Sequence, residues 1–345
     1  IEYLRNNATE DGKRCAVIHD DGEKFGIWPG TFHSVYEEGW LEQFFQAITD
    51  NQDWLQCRTY SEYMEMAPPV GRTYITCASY QEMLEWALPT PMQRRLHTVK
   101  EQIKENPDRA PEQLLFVRGG FWRNFLGKYA ESNNIQKRML MVSRRLDTLR
   151  PTKHEKLEEA EKLLHQGQCN CAYWHGVFGG LYLNHLRTAL YQKLIEADRI
   201  LDTIERKAAN WVNCEAFDFD ADGHNEAVMA NAHTTLLFSP ADGGTLFEWD
   251  YKDKPFNFTN TLTRRDEPYH DALRTGAVQI GEIGDGDHSI HELVRAKEAG
   301  LEKLLAYDPY RRVCLRDHFL VDDVTTEELW AGVHRELGDF ATGLY

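Results

Sequence analysis

No apolar run in the 345-residue sequence approaches the roughly 18 residues that a membrane-spanning helix needs, because charge interrupts every long apolar stretch. No bilayer span is expected. Basic charge is the scarcer sign: 39 Lys and Arg stand against 55 Asp and Glu, a formal net charge of −16, with no Lys/Arg stripe to offset it locally. Such a chain repels polyanions, so nucleic acid and anionic membranes are poor partners. Cysteines are few. The seven at Cys15, Cys57, Cys77, Cys169, Cys171, Cys214 and Cys314 are an odd number without framework spacing, which points to a reducing compartment and hence the cytoplasm. Internal repeats and low-complexity segments are also lacking. What is plentiful is core material: 42% of residues are hydrophobic and 12% aromatic, enough for two domains. The sequence opens at Ile1 without a methionine and stops at Tyr345 without a closing strand pattern, so a fragment or processed product is expected.

Along the chain, Cys15-Ala16-Val17-Ile18 leads into His19-Asp20-Asp21-Gly22, the pattern of a buried parallel strand whose carboxyl end opens into a functional loop. Trp40, Leu41, Phe44, Phe45 and Ile48 recur at helical spacing, and Arg72 to Cys77 alternates like a strand. Ser79-x-x-Glu82 and Thr152-x-x-Glu155 both fit capping boxes. Between about 90 and 200 the pattern is helical, with one stripe of Ile135, Met139, Val142, Leu146 and Leu149. Leu183, Leu186, Leu190, Leu194, Ala197 and Leu201 form another. Core packing is the simplest use for both. The charged stretch from Lys153 to Lys162 reads as a solvated helix face. Beyond about 205 the period changes to alternation, with turns at Asp222-Gly223 and Asp242-Gly243-Gly244, as in an antiparallel β-domain.

Two constellations carry candidate chemistry. Asp20, Asp21 and Glu23 crowd three carboxylates into four residues, with Trp28 close behind. Crowding raises the pKa of at least one carboxyl, as a general acid requires, and a tryptophan offers a flat face to a sugar ring. The second is Gln168-Cys169-Asn170-Cys171-Ala172-Tyr173-Trp174-His175-Gly176-Val177-Phe178-Gly179-Gly180, where amide, aromatic and imidazole groups lie between permissive glycines. Zinc is not expected there, because no second Cys pair stands at the usual interval. A third feature is Asp218-x-Asp220-x-Asp222-Gly223-x-x-Glu226, whose spaced oxygens suit a structural calcium ion. Position twelve of an EF-hand loop would be Met229, so an EF-hand is excluded. Arg264-Arg265, His291-Glu292 and Asp317-His318 read as structural or interdomain contacts.

HDDGEKFGIWPGT from His19, SYQEMLEWALP from Ser79, VRGGFWRNFLGKYAESN from Val117 and QCNCAYWHGVFGGLYLNHLR from Gln168 together resemble glycoside hydrolase family 57, in its 4-α-glucanotransferase and α-amylase group. The resemblance implies an α/β plus all-β chain. Residues 1–78 would be the last units of a (β/α)7 barrel, 79–204 a helical region completing the cleft, and 205–345 an incomplete β-sandwich. It implies retaining action on α-1,4-glucans or maltooligosaccharides, with no catalytic cofactor and room for a homodimer. Asp21 matches the family's acid/base carboxylate, with His19, Glu23 and Trp28 beside it. Asn170, Tyr173, Trp174 and His175 fall on the aromatic motif that closes the sugar cleft, where Cys171 replaces the family's Asp. The nucleophilic glutamate of the family lies upstream of the acid/base strand, so Asp21 is expected without its partner. Alternatives are hydrolysis of the same bond as an α-amylase, and a non-catalytic glucan-binding remnant. A metal-dependent deacetylase-like barrel using His19 and Asp20 is disfavoured, because no His-x-x-x-His segment accompanies them.

Overall fold

The structure is a computed structural model that describes residues 1–28, 30–75, 79–175, 179–280, 295–296 and 298–345. The chain forms two compact units, one of Ile1–Thr76 with Gln279–Glu298, the other of Cys77–Val278 with Ala299–Tyr345.

The first unit is assembled from short helices. α1 spans Glu2–Asn7, α2 Trp40–Thr49 and α3 Tyr60–Met66, with a 3-10 turn at Gly22–Lys24 and a π-helical turn at His33–Glu37. α2 forms where the apolar spacing predicts it. Its Trp40 stacks on Phe44 at 5.4 Å, and Phe25 approaches Trp40 at 6.1 Å. α3 begins with a capping box, Thr59 and Glu62 exchanging hydrogen bonds, that the sequence reading missed. The strand expected at Cys15–Ile18 does not form: these residues are irregular, and Val17 and Ile18 are 61% and 70% exposed. Arg72–Ile75 is likewise irregular and exposed, the remainder of that expected strand lying outside the described residues. A strand exists only as a member of a ladder, and apolar sequence alone supplies no neighbour to accept its backbone hydrogen bonds. The two-residue pair Gln279–Ile280 and Arg295–Ala296 is the parallel pairing described in this unit.

The second unit has a helical half and a sheet. α4 (Gln81–Trp86), α5 (Thr90–Lys104), α6 (Ala110–Leu114) and α7 (Trp122–Lys128) lead to α8 (Ala130–Leu149), α9 (Leu157–Gly167) and α10 (Asn184–Glu205). The two apolar stripes meet as expected. Ile135, Val142 and Leu146 of α8 and Leu194, Ala197 and Leu201 of α10 are essentially fully buried in one core with α9. Gly167 lets α9 approach α10 closely, since an added Cβ would lie 2.7 Å from Leu194. The two proposed capping boxes are not used. α4 starts after Tyr80, one residue past Ser79, and Thr152 belongs to a 3-10 turn in which its hydroxyl donates to Leu149 O. In both cases the hydroxyl falls out of register with the first helical turn, so it cannot accept from that turn's N–H groups. A used box instead precedes α12 (Thr326–Ala331), at Thr325 and Glu328, after the single-turn helix α11 (His270–Thr275).

The sheet is an antiparallel meander in the order β1 (Val212–Phe217), β2 (Glu226–Asn231), β3 (Thr234–Ser239), β4 (Thr245–Tyr251) and β5 (Phe256–Asn257). The Asp-Gly segments form the β1–β2 and β3–β4 connections. Val228 pairs with Leu237 and Leu236 with Trp249, and the sheet's apolar centre is Phe219, Val228, Leu237 and Phe247. Among the described residues no second antiparallel layer faces it, so the expected sandwich is present as one sheet. The layer between helices and sheet is charged. Arg138 of α8, fully buried, reaches Asp198 of α10 at 2.9 Å and Glu248 and Asp250 of β4 at 3.0 and 3.1 Å. Lys252 pairs with Asp202 at 2.6 Å beside it. Among the described residues, no helix is long and apolar enough to cross a membrane.

Candidate active site

The acidic motif lies in the first unit. Asp21 precedes the 3-10 turn Gly22–Lys24, and its side chain is 62% exposed. Lys24 folds back from that turn to bind Asp20 at 2.5 Å, standing 3.8 Å from Asp21. Its ammonium also lies 5.6 Å from the centre of the Trp28 ring, and Trp28 N–H donates to Glu23 O. Lysine, carboxylates and tryptophan thus form one surface turn. Crowding was expected to push a carboxyl upward, but Asp20 moves the other way. The hydrogen bond from Lys24 holds it below its usual range, and Asp20 in turn raises the Lys24 ammonium. Lys24, from the same motif, neutralises part of the cluster. His19 and Glu23 are exposed, and Trp28 is half-buried. Pro29 of this motif lies outside the described residues.

The aromatic motif lies in the second unit, and its residues divide by burial. Asn170 and Cys171 are exposed in a 3-10 turn with Ala172 and Tyr173, and the Cys171 thiol donates to Asn170 Oδ1 at 3.6 Å. Trp174 is half-buried and meets Tyr80 edge-on at 5.6 Å, with Tyr80 half exposed. Tyr173 and His175, expected to line a sugar cleft, are 6% and 1% exposed. They face inward because each is needed there. Tyr173 donates its hydroxyl to Gly167 O at 2.5 Å, closing the loop onto the end of α9, while Ser132 of α8 donates to its carbonyl. His175 is enclosed by Trp86, Tyr129, Tyr182 and Phe125, with ring centres 4.6 to 5.6 Å away. Gly180 completes the turn at φ +31°, where a Cβ would fall 2.2 Å from Trp174 O. Gly176, Val177 and Phe178 lie outside the described residues.

Beneath this loop is a polar cluster that local sequence patterns did not reveal. Glu267 is fully buried; Tyr129 and Tyr182 each donate to its Oε1 at 2.7 Å, and Lys128 stands 3.4 Å from Oε2. Burial pushes the Lys128 ammonium down against the pull of Glu267, and pushes both tyrosines up. His175 is driven down to about 3, first by burial and then by Lys128 and Arg265, so its imidazole is neutral at physiological pH. Its Nε2 lies 3.9 Å from Glu267, beyond hydrogen-bond reach, and has no partner among the described residues. A neutral imidazole wedged among aromatic rings fixes geometry rather than moving protons. Lys128 and Tyr129 stood inside a recognised motif, whereas Glu267 sits 138 positions from Tyr129 in a charged stretch without periodic signal. Close by, Arg264 pairs with Asp308 and Arg265 with Glu131. His291-Glu292 lies outside the described residues.

In the β1–β2 connection, Asp218, Asp220 and Asp222 bring carboxylate oxygens within 4.8 Å of one another. Asp218 accepts from the Asp222 and Gly223 N–H groups, which tightens the turn. Asp220 Oδ1 is buried and has no partner among the described residues. Glu226, expected as a fourth ligand, is 1% exposed and uses Oε2 to accept from Phe219 and Asp220 N–H; it braces the loop rather than joining the oxygen cluster. Its carboxyl is pushed up to about 7 by burial, the Phe219 N–H opposing.

Comparison with known proteins places these features in a lineage. Residues 1–76 match the family described as glycosyl hydrolase family 57, 120–201 the alpha-amylase/4-alpha-glucanotransferase middle domain, and 218–345 the corresponding C-terminal domain. The family 57 match thus covers the Ile1–Thr76 part of the first unit, and the two domain matches cover most of the second. The chain is similar to the 4-alpha-glucanotransferase of Thermococcus kodakarensis, 41% identical over all 345 residues and 50% of that protein's length. Alpha-amylase 1 of Dictyoglomus thermophilum is 44% identical over 330 residues, covering 96% of this chain and 46% of the relative. Among solved structures, the Thermococcus litoralis 4-alpha-glucanotransferase superposes with a TM-score of 0.77 at 39% identity, over the whole of this chain and 48% of the other. The chain therefore spans about half the length of the curated relatives it matches.

Proposed function

We propose that this chain contributes the acid/base carboxylate and part of the sugar-binding surface to a retaining α-1,4-glucan-processing enzyme of the 4-α-glucanotransferase type. The observation that carries it is the identity over the chain's full length with the Thermococcus kodakarensis 4-alpha-glucanotransferase. In this reading Asp21 protonates the glycosidic oxygen while a second carboxylate attacks the anomeric carbon. In the second step Asp21, now a carboxylate, takes the proton of the incoming sugar hydroxyl as that oxygen bonds to the anomeric carbon and the bond to the second carboxylate breaks. The two carboxyl groups of a retaining enzyme stand about 5 Å apart. The family resemblance assigns the second to a glutamate preceding the acid/base segment. The exposure of Asp21 and the engagement of Lys24 by Asp20 suit the role, since they leave Asp21 reachable. Trp28 and Trp174 offer sugar-stacking faces, with Asn170 as a hydroxyl partner, while Tyr173 and His175 act by holding the loop. The domain division at 78/79 and 204/205 belongs to the same proposal.

In the full-length protein, Asp21→Asn is expected to lower maltotriose disproportionation by about 10²–10⁴-fold, as loss of a general acid/base does. Full activity of the Asn variant would overturn the assignment. Hydrolysis is the second reading, favoured by the Dictyoglomus thermophilum relative. Glucose with longer maltooligosaccharides marks transfer, whereas glucose and maltose alone mark hydrolysis. We also propose that Asp218, Asp220 and Asp222 hold a structural calcium ion, on the strength of their convergence and the unpartnered Asp220 oxygen. A thermal midpoint equal in calcium and in chelator would remove that proposal.

A further inference from the structure

The stretch after Gly300 has little regular structure to hold it: a 3-10 turn at Leu301–Leu304, α12, and isolated bridges Leu246↔Cys314 and Leu320↔Glu336. Few ladder hydrogen bonds fix such a segment, so side chains must tie it together. Four converge. His318 Nδ1 lies 2.7 Å and His334 Nε2 3.2 Å from Glu336 Oε1, and the Tyr310 hydroxyl lies 3.1, 2.8 and 2.9 Å from these same three atoms.

These are five of the six ligand–ligand edges of a four-coordinate site, and the two imidazole nitrogens that make the sixth lie within 4.8 Å of each other. Nitrogen and oxygen ligands at about 2.0–2.1 Å from a tetrahedral zinc ion stand about 3.3 Å from one another. The five observed separations, 2.7 to 3.2 Å, fall short of that by about 0.1 to 0.6 Å, which side-chain rotations would open. As a purely hydrogen-bonded group the cluster is awkward, because three groups crowd one carboxylate oxygen. His334 fits a ligand's place: its side chain is only 5% exposed, and it directs Nε2 at the cluster. Tyr310, His318 and His334 also line a cavity of about 240 Å³, whose wall carries Arg264, Arg311, Arg312 and Arg316 as well.

We propose that His318, His334 and Glu336, with the Tyr310 hydroxyl at the fourth corner, form a binding site for a zinc-class divalent transition metal that clips the 310–318 stretch to 334–336. Two imidazoles favour such an ion over calcium or magnesium, which prefer all-oxygen shells like that of the Asp218 loop. The role is structural, independent of the glucan reading, because the ion joins two segments that share one isolated bridge.

The test uses the full chain, stripped with chelator, dialysed and titrated with zinc alone, with cobalt(II) as a spectroscopic substitute. Wild type is expected to take up one tight equivalent, to show the intense visible bands of tetrahedral cobalt, and to unfold at higher temperature with zinc. His318→Ala, at a side chain 37% exposed and so tolerant of truncation, and the isosteric Glu336→Gln are each expected to weaken binding at least tenfold and to abolish the thermal shift. Circular dichroism of the unmetallated variants separates ligand loss from misfolding. Three results would each overturn the proposal: no zinc uptake by wild type, affinities in both variants within twofold of wild type, or cobalt–thiolate charge-transfer bands showing that cysteines hold the metal.

Discussion

Replacing Arg138 by methionine should destabilise the second unit by about 3–4 kcal/mol at pH 7.5, by the following reasoning. The guanidinium is fully buried and stands 2.9 to 3.1 Å from Asp198, Glu248 and Asp250. Methionine fills much of the same volume, so packing changes little and charge changes by one unit. Asp198 keeps Arg145 and, at 4.0 Å, Lys252, whereas Glu248 and Asp250 are left facing each other inside the protein. Removing one partner of a buried ion pair typically costs 3–5 kcal/mol, because the desolvated charge left behind is uncompensated. The surviving cations beside Asp198 argue for the lower part of that range. For a unit of this size each kcal/mol moves the thermal midpoint by roughly 2–4 °C, so a loss of about 6–16 °C is expected. The pH dependence adds a second check. Burial raises the Asp198 carboxyl but Arg138 and Arg145 outweigh it, and its folded value lies below the ordinary one. Stability from that depression is present above the unfolded value and is lost as pH falls. Burial drives Glu248 and Asp250 upward, so their ionisation costs stability as pH rises. The variant can relieve its unpaired carboxylates by protonation, and its deficit should shrink between pH 7.5 and pH 4 in urea melts followed by circular dichroism. A deficit under 1 kcal/mol at pH 7.5, or one that grows toward acid, would refute the picture of a dry charged layer.

Glu226→Gln keeps the oxygen that accepts from Phe219 and Asp220 N–H but cannot ionise. Because burial raises this carboxyl from 4.5 to about 7, the wild type should lose stability between those pH values, so the variant should match it at pH 4 and exceed it by on the order of 2 kcal/mol at pH 8 in chelator. Chemical melts across pH report the difference; a constant offset would contradict it. Gly180→Ala puts a Cβ 2.2 Å from Trp174 O at a positive φ, and should raise the KM of the full-length enzyme for maltooligosaccharides while costing about 1–3 kcal/mol. Trp174→Ala should raise KM more than it lowers kcat if the ring is a sugar platform, and steady-state kinetics on maltotriose separates the two. Glu267→Leu leaves Lys128 and two tyrosine hydroxyls buried without their acceptor and should cost about 3 kcal/mol in thermal melts, more than the Gln variant.

What the sequence determined by itself was whatever depends on neighbours within a turn or two. The stripes through Ile135 and Leu190 became α8 and α10 because spacing near 3.6 residues puts one face inward whatever it meets. Asp222-Gly223 and Asp242-Gly243 turned the chain because glycine there takes positive φ. The long motifs identified the family because they preserve unusual residues in fixed order. Tertiary structure decided the rest. Cys15–Ile18 is apolar yet makes no strand, since a ladder needs a partner that local sequence cannot supply. Tyr173 and His175 turned inward while Trp174 stayed half-buried, a choice made by the contacts with Gly167, Tyr129 and Tyr182. Glu267 against Tyr129, Arg138 against β4, and His318 against Glu336 join residues separated by 138, 112 and 18 positions. Such contacts follow from which surfaces fold together, and that is set by burial summed over whole elements, which no short window of sequence contains.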